Sequence, residues 1–158
     1  MLSHIWSLLC NKSLIDTDTN NISIIDVFER VDVNAKIALK NKQTLRVNIP
    51  VHFELVSFWF REKNNQVIKA DVKVDFLNPT KEKIKTFSYK IEIPNNLKRL
   101  RSRLKINGLT LYTSGDYFFK IKVKEEGQKN YRIVAEIPLE VNLQLEDIRE
   151  ESNKKRSN

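Results

Sequence analysis

Basic residues recur at every second position through "NLKRLRSRLKING" (Asn96 to Gly108), where Arg99, Arg101, Arg103 and Lys105 alternate with Leu100, Leu104 and Ile106. Residues two apart on a strand share a face, so this spacing predicts four like charges in one row, with Lys98 beside them. Such a row needs carboxylates from neighbouring strands, open water, or an anion. A phosphate-rich ligand is one fit: four phosphates neutralised on a single-stranded nucleic acid would give a salt slope of about −3. No aromatic residues interleave within the row itself, as stacking platforms require, and a solvated or carboxylate-paired face outweighs an anion site by about two to one.

A second candidate surface lies in "LRVNIPVHFELVSFWFRE", where Phe53, Leu55 and Trp59 alternate with Val56, Phe58 and Phe60. Both parities are apolar, so the strand is buried on two sides or presents one face to a partner. Phe58, Trp59 and Phe60 are the candidate partner-binding residues.

The remaining chemistry-bearing residues point away from catalysis. Three scattered glycines, Gly108, Gly115 and Gly127, make no phosphate-cradling loop and no nucleophile elbow. The imidazoles are His4 and His52 and the one thiol is Cys10, too few for a soft-ligand zinc site within one chain. His4 and Cys10, six apart, would share a face of one strand, and two core-packed residues explain them better than a ligand pair. "DTDTNN" (Asp16 to Asn21) alternates carboxylate, hydroxyl and amide oxygens as calcium loops do, but a hairpin turn bonded to its own backbone accounts for it more economically. Asp71 and Asp75 flank Lys73, and Glu136 and Glu140 are spaced alike, as on a solvated strand face. The expectation is no enzyme, no metal and no cofactor.

The chain has 158 residues and a formal charge of +8 from 28 basic and 20 acidic side chains. That length holds one domain with a real core. The charge attracts anionic surfaces such as nucleic acid or acidic lipid, though a lysine-rich surface also blunts strand edges. With one cysteine and no recognisable leader the expected setting is the reducing cytoplasm, and the sequons at Asn11 and Asn21 are discounted accordingly. Apolar runs fall short of the roughly 20 residues a membrane helix needs.

Strands positioning these residues are read from period-two alternation. In "KADVKVDF" Ala70, Val72, Val74 and Phe76 share one face; in "TFSYKIEI" Phe87, Tyr89, Ile91 and Ile93; in "DYFFKIKVK" Tyr117, Phe119, Ile121 and Val123, opposite Phe118, Lys120, Lys122 and Lys124. "YRIVAEIPLEVNLQL" (Tyr131 to Leu145) continues the pattern across Pro138, which suggests an edge strand or bulge. Leu2 to Cys10 and Asn21 to Val33 are read as a hairpin, and "VNAKIALKNKQT" (Val33 to Thr44) as a loop with a helical turn. Turns are expected at 63–66, 78–83, 94–96, 113–116 and 125–130. Glu146 onward is charged and polar.

Leu8, Leu9 and Cys10, then Ile22 to Val31 after a polar loop, resemble the opening of an uncharacterised bacterial family, a domain of unknown function. "SGDYFFKIKV" (Ser114 to Val123) is similar to a late strand of that family and of many immunoglobulin-like or C2-like sandwiches. The resemblance implies a β-sandwich and carries no catalytic residues. The expected architecture is therefore all-β: a two-sheet antiparallel sandwich of about eight strands, immunoglobulin-like or C2-like, over 1–145, with a polar C-terminal tail over 146–158. The expected function is a non-enzymatic binding or protein-interaction module with an unknown protein partner. The alternative is an anion-binding module for nucleic acid or acidic lipid, and homo-oligomerisation is left open.

Overall fold

The structure, a computed structural model, describes residues 1–19, 21–37, 46–62 and 66–147. Nine strands occur among them: β1 (Leu2–Ile15), β2 (Ile22–Val27), β3 (Arg30–Ile37), β4 (Val47–Arg61), β5 (Ile68–Leu77), β6 (Lys83–Ile93), β7 (Arg99–Leu111), β8 (Gly115–Glu125) and β9 (Arg132–Asp147). They form a four-stranded sheet in the order β2-β1-β4-β7 and a five-stranded sheet in the order β3-β9-β8-β5-β6. Leu9, Leu55, Trp59 and Ile106 from the first sheet and Val72, Phe76, Phe119, Ile121 and Leu139 from the second share one core, so the all-β, sandwich-like expectation holds. No helix of the described residues is long and apolar enough to cross a membrane.

The alternation translates into burial where it is cleanest. Val72, Val74, Tyr117, Phe119, Ile121 and Val123 are fully buried, while Lys120, Lys122 and Lys124 lie on the opposite face and remain partly exposed. Phe76 stacks on Tyr117 and Phe119, with ring centroids 5.3 and 4.8 Å away. The Tyr117 hydroxyl accepts from the amides of Tyr112 and Thr113 at 3.0 and 3.2 Å and donates to the Thr113 carbonyl at 2.9 Å. One phenol thus ties down the β7–β8 turn, as tyrosine corners of sandwich proteins do. Tyr117→Phe keeps the packing and removes these three bonds. Because Thr113 is exposed, water can replace part of the loss, and urea denaturation should show a destabilisation of about 1 kcal/mol.

Several expectations are corrected. The sheets are not wholly antiparallel: β3 runs parallel to β9, from Arg30 opposite Glu140 to Ile37 opposite Asp147. The β1–β2 hairpin forms, but its second arm ends at Val27. The chain then crosses to the other sheet, so Arg30–Ile37 is a strand where a loop with a helical turn was expected from Val33. Burial of Val33 and partial burial of Ala35 against β9 outweigh the helix preference of alanine and lysine. Residues 38–44 of that segment, and 63–65 of the turn expected at 63–66, lie outside the described residues. Pro138 sits on a strand interior to its sheet, though β3 flanks β9 only from Glu140 onward, which leaves the Pro138 segment locally edge-like. β9 continues to Asp147, past the expected boundary at 145; residues 148–158 of the tail lie outside the described residues.

Candidate basic and aromatic face of the four-stranded sheet

Cross-strand register decides which side chains share a face. β7 pairs antiparallel with β4, placing Leu100 opposite Trp59, Ser102 opposite Ser57, Leu104 opposite Leu55 and Ile106 opposite Phe53. These pairs point into the sandwich, so Arg99, Arg101, Arg103 and Lys105 point outward, opposite Phe60, Phe58, Val56 and Glu54. β1 continues the outer face with Trp6 opposite Phe58, Leu8 opposite Val56 and Cys10 opposite Glu54. The arginine row is therefore real, and it borders aromatic side chains that belong to other strands.

The three expected partner-binding residues separate. Trp59 is fully buried on the inner face, where its indole N–H donates to Ser102 Oγ at 2.8 Å; it offers nothing to a partner. Phe58 and Phe60 are half-buried on the outer face. Phe58 lies between the Trp6 ring, 5.6 Å away between centroids, and the Arg101 guanidinium, 5.7 Å from its ring centre. Val56 is buried on this outward side, flanked in register by Leu8 and Arg103. The outer face is thus apolar at its centre and basic along β7.

The charge environments of the two basic rows differ. β8 is flanked on both sides, and each of its lysines has a carboxylate from a neighbouring strand: Lys120 with Glu136 at 3.5 Å, Lys122 with Asp75 at 2.5 Å and Lys124 with Asp71 at 3.5 Å. This corrects the reading of Asp71 and Asp75 as a solvated row: Asp75 is buried. Burial alone would raise its carboxyl, but Lys122 and the Thr86 hydroxyl hold it below the ordinary value. On β7, by contrast, no described carboxylate stands within ion-pair distance of Arg99, Arg103 or Lys105. Arg103 Nη1 makes one bond of 3.3 Å to the Ser13 carbonyl. Glu54, opposite Lys105, accepts instead from the Ser13 amide at 3.0 Å and from its hydroxyl. Lys98 is exposed at the entry to β7.

A bulge between His4 and Trp6 shifts the register of β1, so His4 and Cys10 lie on opposite faces of the sheet rather than sharing one. His4 points inward, edge-on to Trp59 with centroids 5.2 Å apart, and its Nε2 is 2.7 Å from Ser7 Oγ. A serine beside an imidazole is the start of a nucleophile and base arrangement, which sequence spacing did not flag. Here the Ser7 hydroxyl donates to Ser57 at 2.7 Å. Tyr89 from the facing sheet stands 3.1 Å from Ser102, which also receives the Trp59 indole. The serines belong to a polar seam joining the two sheets. Burial, then the nearby Arg132 charge, pushes the His4 imidazole down, so it rests neutral. Burial, followed by the Glu54 charge, pushes the Cys10 thiol up and keeps it protonated.

The polar opening loop is a turn. Asp16 Oδ1 accepts from the Asp18 amide at 2.9 Å, the Thr19 amide at 2.7 Å and the Thr19 hydroxyl at 2.9 Å. These bonds, the Thr19 amide foremost, hold its carboxyl below the ordinary range. A cleft of about 350 Å³ beside β5, β6 and the β8–β9 turn is lined by Lys69, Asp71, Lys90, Glu92 and Lys124 among others, and its lining holds no hydroxyl, thiol or imidazole. Arg61, another residue the sequence did not single out, is buried. It donates to the carbonyls of Gln66, Pro94 and Asn95 at 2.8, 3.2 and 2.9 Å, cross-linking two turns. No family model matches the chain, and no curated protein is significantly similar to it.

Proposed function

We propose that the chain is a non-enzymatic β-sandwich binding module that meets an anionic partner with the outer face of its four-stranded sheet. One contrast carries this reading: every lysine of the β8 row has a carboxylate partner, whereas Arg99, Arg103 and Lys105 have none among the described residues. A row of like charges held about 6–7 Å apart along a strand repels itself unless an anion meets it. Phe58 and Phe60 adjoin the row, with Trp6 one strand beyond them, so the face combines arginine and aromatic groups, the types enriched where proteins bind partners. A partner reached mainly through Phe58 and Phe60, or a second copy of the chain, is the second reading, favoured by the apolar centre of the same face. The Tyr117 corner supports an immunoglobulin-like form of the sandwich. The lone buried thiol suits a cytoplasmic setting.

Charge reversal tests the proposal. The triple variant Arg99→Glu, Arg103→Glu, Lys105→Glu should leave heparin at lower salt than the wild type. Its binding to oligothymidylate should lose about 2 from the log–log salt slope, at ~0.7 per phosphate contact. A control variant reversing the exposed Lys69, Lys90 and Lys129 changes net charge equally. An identical shift in both variants would reduce the effect to overall charge and remove the proposed face.

A further inference from the structure

β7 is the terminal strand of its sheet: β4 pairs with one edge, and no described strand pairs with the other. β8, the other strand bearing a basic row, lies between β5 and β9, and those two strands supply the carboxylates that neutralise it. On β7 the flank that does exist offers Phe60, Phe58, Val56 and Glu54, and Glu54 is engaged with Ser13. What β8 has and β7 lacks is therefore an acidic strand on its far side. The inner-face residues Leu100 and Leu104 are half-buried where they approach that open edge, whereas Ile106 is fully covered. A strand laid against β7 would meet carboxylate-hungry positions on one face and unfinished apolar positions on the other.

We propose that the anionic partner is an extended polypeptide segment with acidic residues at alternate positions, which adds to the four-stranded sheet as a fifth strand along β7. This deepens the reading of the outer face as an anion-binding surface and rests on it. Backbone hydrogen bonds to the open edge supply affinity, as in other strand additions. Alternate carboxylates stand directly across from Arg99, Arg103 and Lys105, the geometry in which cross-strand ion pairs form. The intervening side chains cover Leu100 and Leu104. A nucleic acid strand could meet the same charges but would leave the backbone edge and both leucines unused.

The experiment uses the full chain and three kinds of synthetic peptide of about eight residues, a typical strand length. The first alternates glutamate with valine; the second has the same composition with its glutamates in one block. The third is the alternating peptide N-methylated at every second amide, made in both phases. Oligothymidylate and phosphatidylserine vesicles are titrated in parallel. The alternating peptide should bind about tenfold more tightly than the blocked one, since each cross-strand ion pair contributes a severalfold factor. It should slow hydrogen exchange at β7 amides. One methylation phase should abolish binding while the other leaves it, and the Arg99→Glu, Arg103→Glu, Lys105→Glu variant should lose it while keeping the wild-type circular dichroism. Equal binding of the alternating and blocked peptides, or indifference to methylation phase, overturns strand addition. Binding of oligothymidylate or vesicles through the arginine row, with neither peptide bound, overturns it too but leaves the anion-binding face standing. If no anion binds, both readings fall.

Discussion

Replacing Trp59 with alanine is expected to destabilise the protein by about 3–5 kcal/mol, the range for deleting a large buried aromatic. Set against the 5–15 kcal/mol that usually separates folded from unfolded domains, that is a large share of the total. Trp59 is among the largest fully buried side chains. Its removal opens a cavity between β1, β4 and β7, takes away the ring against which His4 packs, and leaves Ser102 without the indole N–H. Trp59→Phe is the milder companion: it retains an aromatic ring but loses the bond to Ser102, and its urea midpoint should fall between those of the wild type and the alanine variant. Had Trp59 been a contact for a partner, as its apolar neighbours Phe58 and Phe60 suggest from sequence, alanine there would leave stability nearly unchanged. A measured loss below about 1 kcal/mol, the scale of surface substitutions, would return Trp59 to the surface and reverse the assignment of faces on β4.

That assignment marks where alternation stops being informative. In β5 and β8 one parity is apolar and the other charged, so the residues themselves say which side faces the core, and Val72, Val74, Phe119 and Ile121 are buried as expected. The same holds for β7, whose arginines could only face outward. In β4 both parities are apolar, and period two then gives alternation without its sense. Only pairing with Leu100, Ser102 and Leu104 turns Trp59 inward and Phe58 outward. The bulge at His4 and Trp6 is subtler still. One extra residue changes the phase of the strand without any glycine or proline to mark it, and it undoes the expectation that His4 and Cys10 share a face.

Strand order was beyond reach for a different reason. The parallel pairing of β3 with β9 joins segments separated by five other strands, and such non-local pairing leaves no periodic trace in either segment. The candidate site depends on this missing information. Arg99, Arg101, Arg103 and Lys105 form a row in the sequence, but Phe58 and Phe60 become their neighbours, and one edge of β7 becomes open, only with the order β2-β1-β4-β7. The aromatic residues absent from the row itself stand on the next strand, as Phe58 and Phe60, and on the one beyond it, as Trp6. Conversely, the carboxylates Asp71 and Asp75, read as a solvated face, proved to be the counter-charges of Lys124 and Lys122 because β5 and β8 are adjacent.

Asp75→Asn is expected to cost about 1.5–3 kcal/mol near neutral pH, the range for hydrogen bonds to charged groups, and to flatten the acid limb of the stability curve. The lower figure for a half-open pair applies, rather than the 3–5 kcal/mol of a fully enclosed one, because Lys122 keeps 30% of its side chain exposed while Asp75 keeps 7%. The sign follows from proton binding. Burial opposes ionisation of Asp75, but the bonds from Lys122 and Thr86 outweigh it, so the folded carboxyl lies below its ordinary value. Between that value and the unfolded value near 3.9, the unfolded chain binds more protons, and stability falls as pH falls. The Asp75 contribution is therefore fully present above about pH 5 and is lost as the pH drops through the folded value. Asparagine keeps the shape and the contact with Thr86 but has no charge to titrate, so urea midpoints of wild type and variant should differ by a constant amount above about pH 5 and converge in more acidic solution. Some slope persists in the variant, since Glu136, held down chiefly by Lys81, and Asp32, held down chiefly by Arg30, are depressed as well. Curves that stay parallel from pH 7 to about pH 2 would mean that Asp75 is not the counter-charge of the β8 row. The contrast between a neutralised lysine row and Arg99, Arg103 and Lys105, which have no carboxylate among the described residues, would then lose its basis.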